Sequence, residues 1–78
     1  MFDERIVELV VILTRTKNES YESYINRVSK DTWATSIKLS DLRDNMDLTR
    51  LKTELTEKDI HRIYKYHNAY ILLSNILF

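Results

Sequence analysis

The stretch DTWATSIKLSDLRDNMDL, residues 31–48, has the pattern of a helix that lies at the centre of a fold. Asp31 occupies the position expected of a helix N-cap, because its short carboxylate can accept a backbone N–H of the first turn. At about 100° per residue, the apolar residues that follow fall on two faces. One face has Leu39, Leu42 and Met46, and the other has Ala34, Ile37 and Leu48. A helix with two apolar faces packs on both sides, so the pattern predicts a central helix over residues 31–48.

Two polar residues lie on the second of these faces. Asp41 projects between Ile37 and Ala34, and Asn45 follows it by four residues. Both are therefore predicted to be buried. Burying an ionised carboxylate without compensation is very costly, so Asp41 needs a cation, a hydrogen-bond network or a raised pKa.

Helical patterns continue on both sides of the central stretch. Residues 20–30 predict a second helix with an apolar stripe at i, i+3, i+4 and i+7, which makes its tyrosines core residues; the stripe is Tyr21, Tyr24, Ile25 and Val28. Residues 2–14 predict a first helix whose apolar surface is wider than a one-sided surface helix requires. Its core stripe is Phe2, Ile6, Leu9, Val10 and Leu13, widened by Val7, Val11 and Ile12.

A last helix is predicted from Thr56 to the C-terminus. Thr56 and Asp59 have the spacing of a capping box, with Asp in place of the preferred Glu. One face of this helix is predicted to pack inward, and it consists of Ile60, Ile63, Tyr64, Tyr70, Ile71 and Leu77. His67 falls in the middle of that face and is predicted to be buried, whereas His61 is predicted to be solvated. Asp41 would then pair with His67 or cap a tyrosine hydroxyl, unless it has a functional role.

Composition restricts the class of protein. The 78 residues contain no glycine, proline or cysteine, which argues against most architectures built on tight hairpins and excludes disulfides and thiolate zinc sites. We expect an all-α compact bundle of about four to five helices in one domain, residues 1–78, located in the cytoplasm. Twelve basic residues balance twelve acidic ones, so we expect neither a nucleic acid nor a membrane as partner. A domain this small is marginal alone, which favours a homo-oligomer or a protein partner.

Five segments in order resemble the HD-domain metal-dependent phosphohydrolases, particularly the branch that contains guanosine polyphosphate hydrolases. Ile37 to Asn45, IKLSDLRDN, resembles the VKLADLxxN segment of that family. Residues 2–14 look like its FGxxVAxLVxxLT helix, and residues 21–27 look like its YxxYIxR helix. Residues 47–51 and 62–69 continue the match, which thus extends over nearly the whole chain and implies the rear half of an HD fold.

The resemblance implies roles for two residues. Asp41 would be the last of four metal ligands, and Asn45 would lie near the substrate phosphate. The family's other ligands, a histidine and a His-Asp pair, belong to helices that precede the first matching segment, and this sequence begins at that segment. His61 and His67 are six residues apart on one helix and cannot replace them, because a helical metal site needs i, i+4 spacing. We therefore expect no catalytic residue and no cofactor in isolation, with Asp41 binding a divalent metal such as Mn²⁺ only if other ligands complete the site.

Three hypotheses about function follow. The first is a catalytically incomplete HD-like module that binds a protein, as an inhibitor encoded by a phage or mobile element. The second is part of a nucleotide phosphohydrolase, acting on a guanosine polyphosphate, that another chain or an upstream segment completes. The third is an inert structural remnant.

Overall fold

The computed structural model of this chain describes residues 4–77, and those residues form four α-helices and no strand. The helices are α1 (Glu4–Leu13), α2 (Tyr21–Val28), α3 (Thr32–Asn45) and α4 (Glu57–Leu77). A short 3₁₀ turn, Leu48–Arg50, lies between α3 and α4. The all-α class predicted from the sequence is confirmed. Within residues 4–77, no helix combines the length and the apolar character that crossing a membrane requires.

Local side-chain hydrogen bonds begin three of the helices. Ser20 caps α2 by accepting the N–H of Ser23, and Asp31 caps α3 by accepting the N–H of Ala34 at 2.9 Å. The capping box before α4 is present in both directions. The N–H of Thr56 donates to the Asp59 carboxylate at 3.0 Å, and the N–H of Asp59 donates back to Thr56 Oγ1 at 3.2 Å.

The predicted helix boundaries need small corrections. Phe2 and Asp3, predicted to lie in the first helix, are outside the described residues. The second helix is shorter than residues 20–30, since Ser20 is its cap and Ser29 follows its end. The central helix ends at Asn45 rather than Leu48, because the Asp47 side chain accepts the N–H of Thr49 at 3.0 Å and stabilises a new turn.

The core lies where α2, α3 and α4 meet. Its buried apolar side chains are Tyr24, Ile25, Val28, Ala34, Leu39, Leu42, Ala69 and Leu73. Thr35 is buried with them, and its hydroxyl donates to the carbonyl of Val28 at 3.1 Å. The α1 helix covers this core with partly buried side chains but has no fully buried residue of its own. Because α1 packs on one side only, the rest of its wide apolar surface faces solvent.

Candidate functional site

Asp41 lies near the end of α3 with its carboxylate exposed to solvent. Lys38 Nζ lies 2.9 Å from Asp41 Oδ2, and Asn45 Nδ2 donates to Asp41 Oδ1 at 3.2 Å and to the Asp41 carbonyl at 2.9 Å. The predicted burial of Asp41 and Asn45 is wrong, because both residues are exposed. The reason is that α1 covers only part of the face of α3 that contains Ile37, and Ile37 itself is exposed.

Lys38 is the partly buried ion at this site, and it is not among the site residues predicted from the sequence. Its side chain is 15% exposed, against 49% for Asp41, and its ammonium lies 5.3 Å from the centre of the Tyr24 ring. Burial lowers the pKa of Lys38, but the hydrogen bond to Asp41 and the attraction of Tyr24 outweigh it, so the net pKa is raised. Lys38 therefore stays charged. The i, i+3 spacing of Lys38 and Asp41 was the signal for this pair in the sequence.

Three tyrosines form a cluster next to Lys38. The ring of Tyr21 lies 6.0 Å from that of Tyr24 and 6.1 Å from that of Tyr66, centre to centre. The Tyr24 hydroxyl donates to the carbonyl of Leu13 at 2.6 Å, which connects α2 to the end of α1. The Tyr21 hydroxyl is buried without a hydrogen-bond partner among residues 4–77, and burial raises its pKa. The cluster therefore packs the domain, as the sequence predicted for the tyrosines of α2.

His67 lies far from the place predicted for it. It is exposed, and no hydrogen bond or ion pair within the described part of the chain joins it to Asp41. The prediction that His67 is buried is wrong because α4 packs through Ala69 and Leu73. That side of the helix is rotated by about 130° from the centre of the predicted face, and three residues of the predicted face, Ile60, Tyr64 and Ile71, are exposed. His61 is exposed, as predicted.

A polar cavity of about 340 Å³ lies between the end of α3 and the start of α4. Two of its three carboxylates pair with its two arginines, and the third, Asp47, accepts hydrogen bonds within its own turn. Arg50 Nη1 is 2.7 Å from Asp44 Oδ2, and Arg62 pairs with Asp59. Across residues 4–77, no group of three or more His, Cys, Asp or Glu side chains has an arrangement that would hold a metal ion. This cavity thus has no unpaired cluster of one charge that would select a ligand.

A second concave surface, of about 510 Å³, is an apolar groove between α2 and α4. Tyr21, Ile25 and Ala69 contribute to its lining, and the exposed ring of Tyr64 stands at its edge. The Lys65 ammonium lies 4.6 Å from the centre of the Tyr21 ring. The groove has few polar groups that would orient a small molecule.

The largest set of exposed apolar side chains is on α1 and α3. Arg5 Nη2 lies 2.9 Å from an Asp31 carboxylate oxygen near the start of both helices. Leu13 and Ile37 line one small cavity further along both helices. The two helices therefore run side by side in the same direction.

This parallel course brings exposed residues of the two helices onto one surface. Val10 and Ile6 precede Leu13 by one and two turns on the same edge of α1, and Trp33 precedes Ile37 by one turn on α3. Val7 and Val11 continue the apolar surface around the outside of α1. We call this surface the α1–α3 face; its members are Ile6, Val7, Val10, Val11, Trp33 and Ile37. The sequence predicted an excess of apolar surface on the first helix, but not that Trp33 and Ile37 extend it.

Comparison with known proteins adds no relative. No protein-family model matches the sequence, and no curated protein matches it significantly.

Proposed function

We propose that this chain is a helical module that acts by binding a protein through the α1–α3 face, without a complete catalytic site of its own. The observation that carries the proposal is the exposure of that face. Its six large apolar side chains are each between 44% and 67% exposed. Soluble monomers rarely expose a contiguous apolar patch of more than a few hundred Å², and larger patches mark interaction sites.

The composition of α1 supports the same conclusion. Seven of the ten residues of ERIVELVVIL are aliphatic, yet none is fully buried. A helix of this length is marginal in water without packing. Covering its outer surface with a partner would bury side chains that otherwise remain in contact with water, and each apolar Å² removed from water contributes roughly 25 cal/mol.

The surroundings of Asp41 support a module without independent catalysis. Its carboxylate is already occupied by Lys38 and Asn45, and a metal ion would have to displace a charged ammonium to bind there. The sequence contains no His-Asp pair, which the resemblance to HD phosphohydrolases would require for the metal site. A single carboxylate does not hold a catalytic metal.

One observation favours the alternative, in which another chain completes a nucleotide phosphohydrolase. Asp41 follows Ile37 by one turn of α3, so it lies at the end of the α1–α3 face and is half exposed. A protein docked on that face would meet the Asp41 carboxylate and Asn45. This alternative keeps Asp41 as a metal ligand that the partner completes.

Site-specific photo-crosslinking tests the proposal. A photoreactive phenylalanine is placed at Trp33, on the α1–α3 face, or at the control position Ile60, which is exposed on α4. We expect a discrete protein adduct from position 33 and none from position 60. Adding Val10→Glu should lower the yield of the adduct from position 33. Adducts of equal yield from both positions, or none from position 33, would contradict the proposal.

An activity assay on the purified chain and on the crosslinked complex distinguishes the binding module from the phosphohydrolase. The purified chain and its complex with the crosslinked protein are each incubated with Mn²⁺ and a guanosine polyphosphate. If the chain is a binding module, neither the purified chain nor the complex should release phosphate or pyrophosphate. Turnover by the complex that is lost in Asp41→Ala would establish the phosphohydrolase instead.

A further inference from the structure

The α1 helix is attached to the domain differently from the other three helices. All the buried apolar side chains of the core belong to α2, α3 or α4, and α1 has no fully buried residue. Among residues 4–77, α1 packs against α2 and α3 but not against α4, through the partly buried Leu9, Ile12 and Leu13. A helix with few buried contacts is the part of a domain that opens at the lowest cost in free energy.

The end of α1 is fixed to α2 through its backbone. The Tyr24 hydroxyl donates to the Leu13 carbonyl at 2.6 Å, and Arg27 donates to the Ile12 carbonyl at 2.9 Å. The chain then turns into α2 through residues 14–20. Because this end has both a covalent connection and hydrogen bonds to α2, it can act as a pivot.

An ion pair joins the start of α1 to the start of α3. Arg5 Nη2 lies 2.9 Å from an Asp31 carboxylate oxygen, and the exposed fractions of the two side chains are 41% and 19%. The Asp31 carboxylate also accepts the N–H of Ala34 as the cap of α3, so it keeps its position whether or not Arg5 is bound. Since solvent reaches the Arg5 side of the pair, dissolved salt weakens the attraction.

We infer that α1 is a hinged lid, which pivots at residues 14–20 and is latched by the Arg5–Asp31 ion pair. When the latch opens, α1 leaves the domain as one unit while α2, α3 and α4 keep the core. The α1–α3 face is assembled only in the closed state, because Val10 and Trp33 then share one surface. A partner that contacts both helices therefore binds the closed state and shifts the lid toward it. The lid does not depend on the proposed function, whereas its control of binding does.

Amide hydrogen exchange of the full chain, followed by NMR, tests the lid. A released helix of ten residues is marginal in water, so opening exposes the amides of residues 8–13 to exchange. We expect these amides to share one opening free energy, lower than that of the core amides of Leu42 and Leu73. Their exchange should also respond less to urea, because opening the lid exposes less surface than global unfolding.

A core substitution separates lid opening from global unfolding. Leu73 lies on α4, which does not contact α1 within the described residues, and its side chain is fully buried. In Leu73→Val the core amides should exchange about fivefold faster. The amides of residues 8–13 should keep their rates, because the core is intact in both the closed and the open state. Equal acceleration in α1 and in the core would overturn the lid.

Asparagine at position 31 tests the latch. Asn caps a helix about as well as Asp, so Asp31→Asn keeps the start of α3 but removes the charge that holds Arg5. We expect the amides of α1 to exchange about threefold faster. Arg5→Gln should match this effect, and the double variant should add nothing further. Asp44→Asn, the same chemical change in an ion pair that does not involve α1, is the control and should leave these amides unchanged. Higher salt should accelerate exchange in α1 of the unaltered chain but not of Asp31→Asn.

Three other outcomes are decisive. Amides of α1 that have the urea dependence of the core amides open only by global unfolding, which overturns the lid. Amides of α1 that exchange as fast as those of an unstructured peptide also overturn it, because the closed state would then be absent. Amides of α1 that exchange at the same rate in Asp31→Asn and the unaltered chain overturn the latch.

The control of binding has a separate test. In the complex crosslinked through position 33, the amides of α1 should exchange about tenfold more slowly than in the free chain, because the partner stabilises the closed state. Unchanged exchange in that complex would overturn the control of binding but leave the binding function in place. If position 33 gives no adduct, the proposed function fails, and exchange in the free chain alone still decides whether α1 is a lid.

Discussion

Arg27, on α2, and Glu19, in the turn that precedes α2, form a bidentate ion pair. Arg27 Nε donates to Glu19 Oε2 at 3.0 Å, and Arg27 Nη2 donates to Glu19 Oε1 at 3.0 Å. The same guanidinium donates to the carbonyls of Ile12 at 2.9 Å and Thr14 at 3.0 Å. These carbonyls lie at and just beyond the end of α1, where backbone carbonyls have no N–H partner within the helix. One side chain thereby satisfies the end of a helix that has little packing of its own.

We expect Arg27→Ala to lower the urea midpoint of unfolding, because it removes the charge-assisted hydrogen bonds of the guanidinium to Glu19 and to the carbonyls at the end of α1. Arg27→Lys should recover only part of the loss, since an ammonium cannot reproduce the forked geometry. Arg50→Ala is the control, because Arg50 and its partner Asp44 are both more than half exposed and such pairs contribute little. Equal effects of Arg27→Ala and Arg50→Ala would refute the structural role of Arg27.

The Glu19–Arg27 pair should also make stability depend on pH. The hydrogen bonds from Arg27, opposed by burial, lower the pKa of Glu19 from 4.5 to about 2. A depressed pKa in the folded state means that the contribution is fully present above pH 4.5 and is lost as the pH falls toward 2. Urea unfolding at pH values from 6 to 2, followed by circular dichroism, measures this slope. Glu19→Gln should be less stable at pH 6 and show a shallower slope, and an unchanged slope would contradict the assignment.

Thr35 should stabilise the core through one buried hydrogen bond. Its side chain is fully buried, and Oγ1 donates to the Val28 carbonyl. Thr35→Val keeps the volume but removes the donor, and we expect a loss of about 1 kcal/mol. The cost stays small because the N–H of Asp31 also donates to that carbonyl, at 3.1 Å. Thr32→Val, at an exposed position of the same helix, is the control and should change stability by less.

Leu42 should be among the side chains on which folding depends most. It is fully buried between the helices, and Leu→Ala at such a site costs about 2–5 kcal/mol. Domains of this size have total stabilities near the low end of about 5–15 kcal/mol, so Leu42→Ala should be largely unfolded at 37 °C by circular dichroism. Leu48→Ala, at an exposed position, should remain folded. A cooperative, unshifted melt of Leu42→Ala would show that the core is placed wrongly.

Asp41 and His67 should be energetically independent, in contrast to the buried pair suggested by the sequence. Both are exposed, and Asp41 is engaged by Lys38 and Asn45. Asp41→Leu and His67→Leu, made singly and together, should have additive effects on the free energy of unfolding to within about 0.5 kcal/mol. A larger interaction energy would place the two side chains in contact.

The helical class of this chain and the residues at which its helices begin could be predicted from the sequence, because interactions between residues close in sequence determine both. Asp31 caps α3, and Thr56 and Asp59 begin α4, since each needs only a backbone N–H three residues away. The absence of glycine and proline left helices as the consistent choice, and the tyrosines of α2 lie in or beside the core, as their spacing predicted.

Which apolar face of each helix is covered depended on the packing of the whole domain. A helix such as α4 has more apolar residues than one face can hold, and its periodicity alone does not distinguish the side of Ala69 and Leu73 from the side of Ile60 and Tyr64. That choice depends on the shapes of the neighbouring helices, which lie far apart in sequence. Packing between the helices left His67 exposed and placed Asp41 at the end of the exposed α1–α3 face. It also placed Trp33 and Ile37 of α3 beside α1. The sequence therefore specified where the helices lie along the chain, whereas packing between them selected which residues are available to a partner.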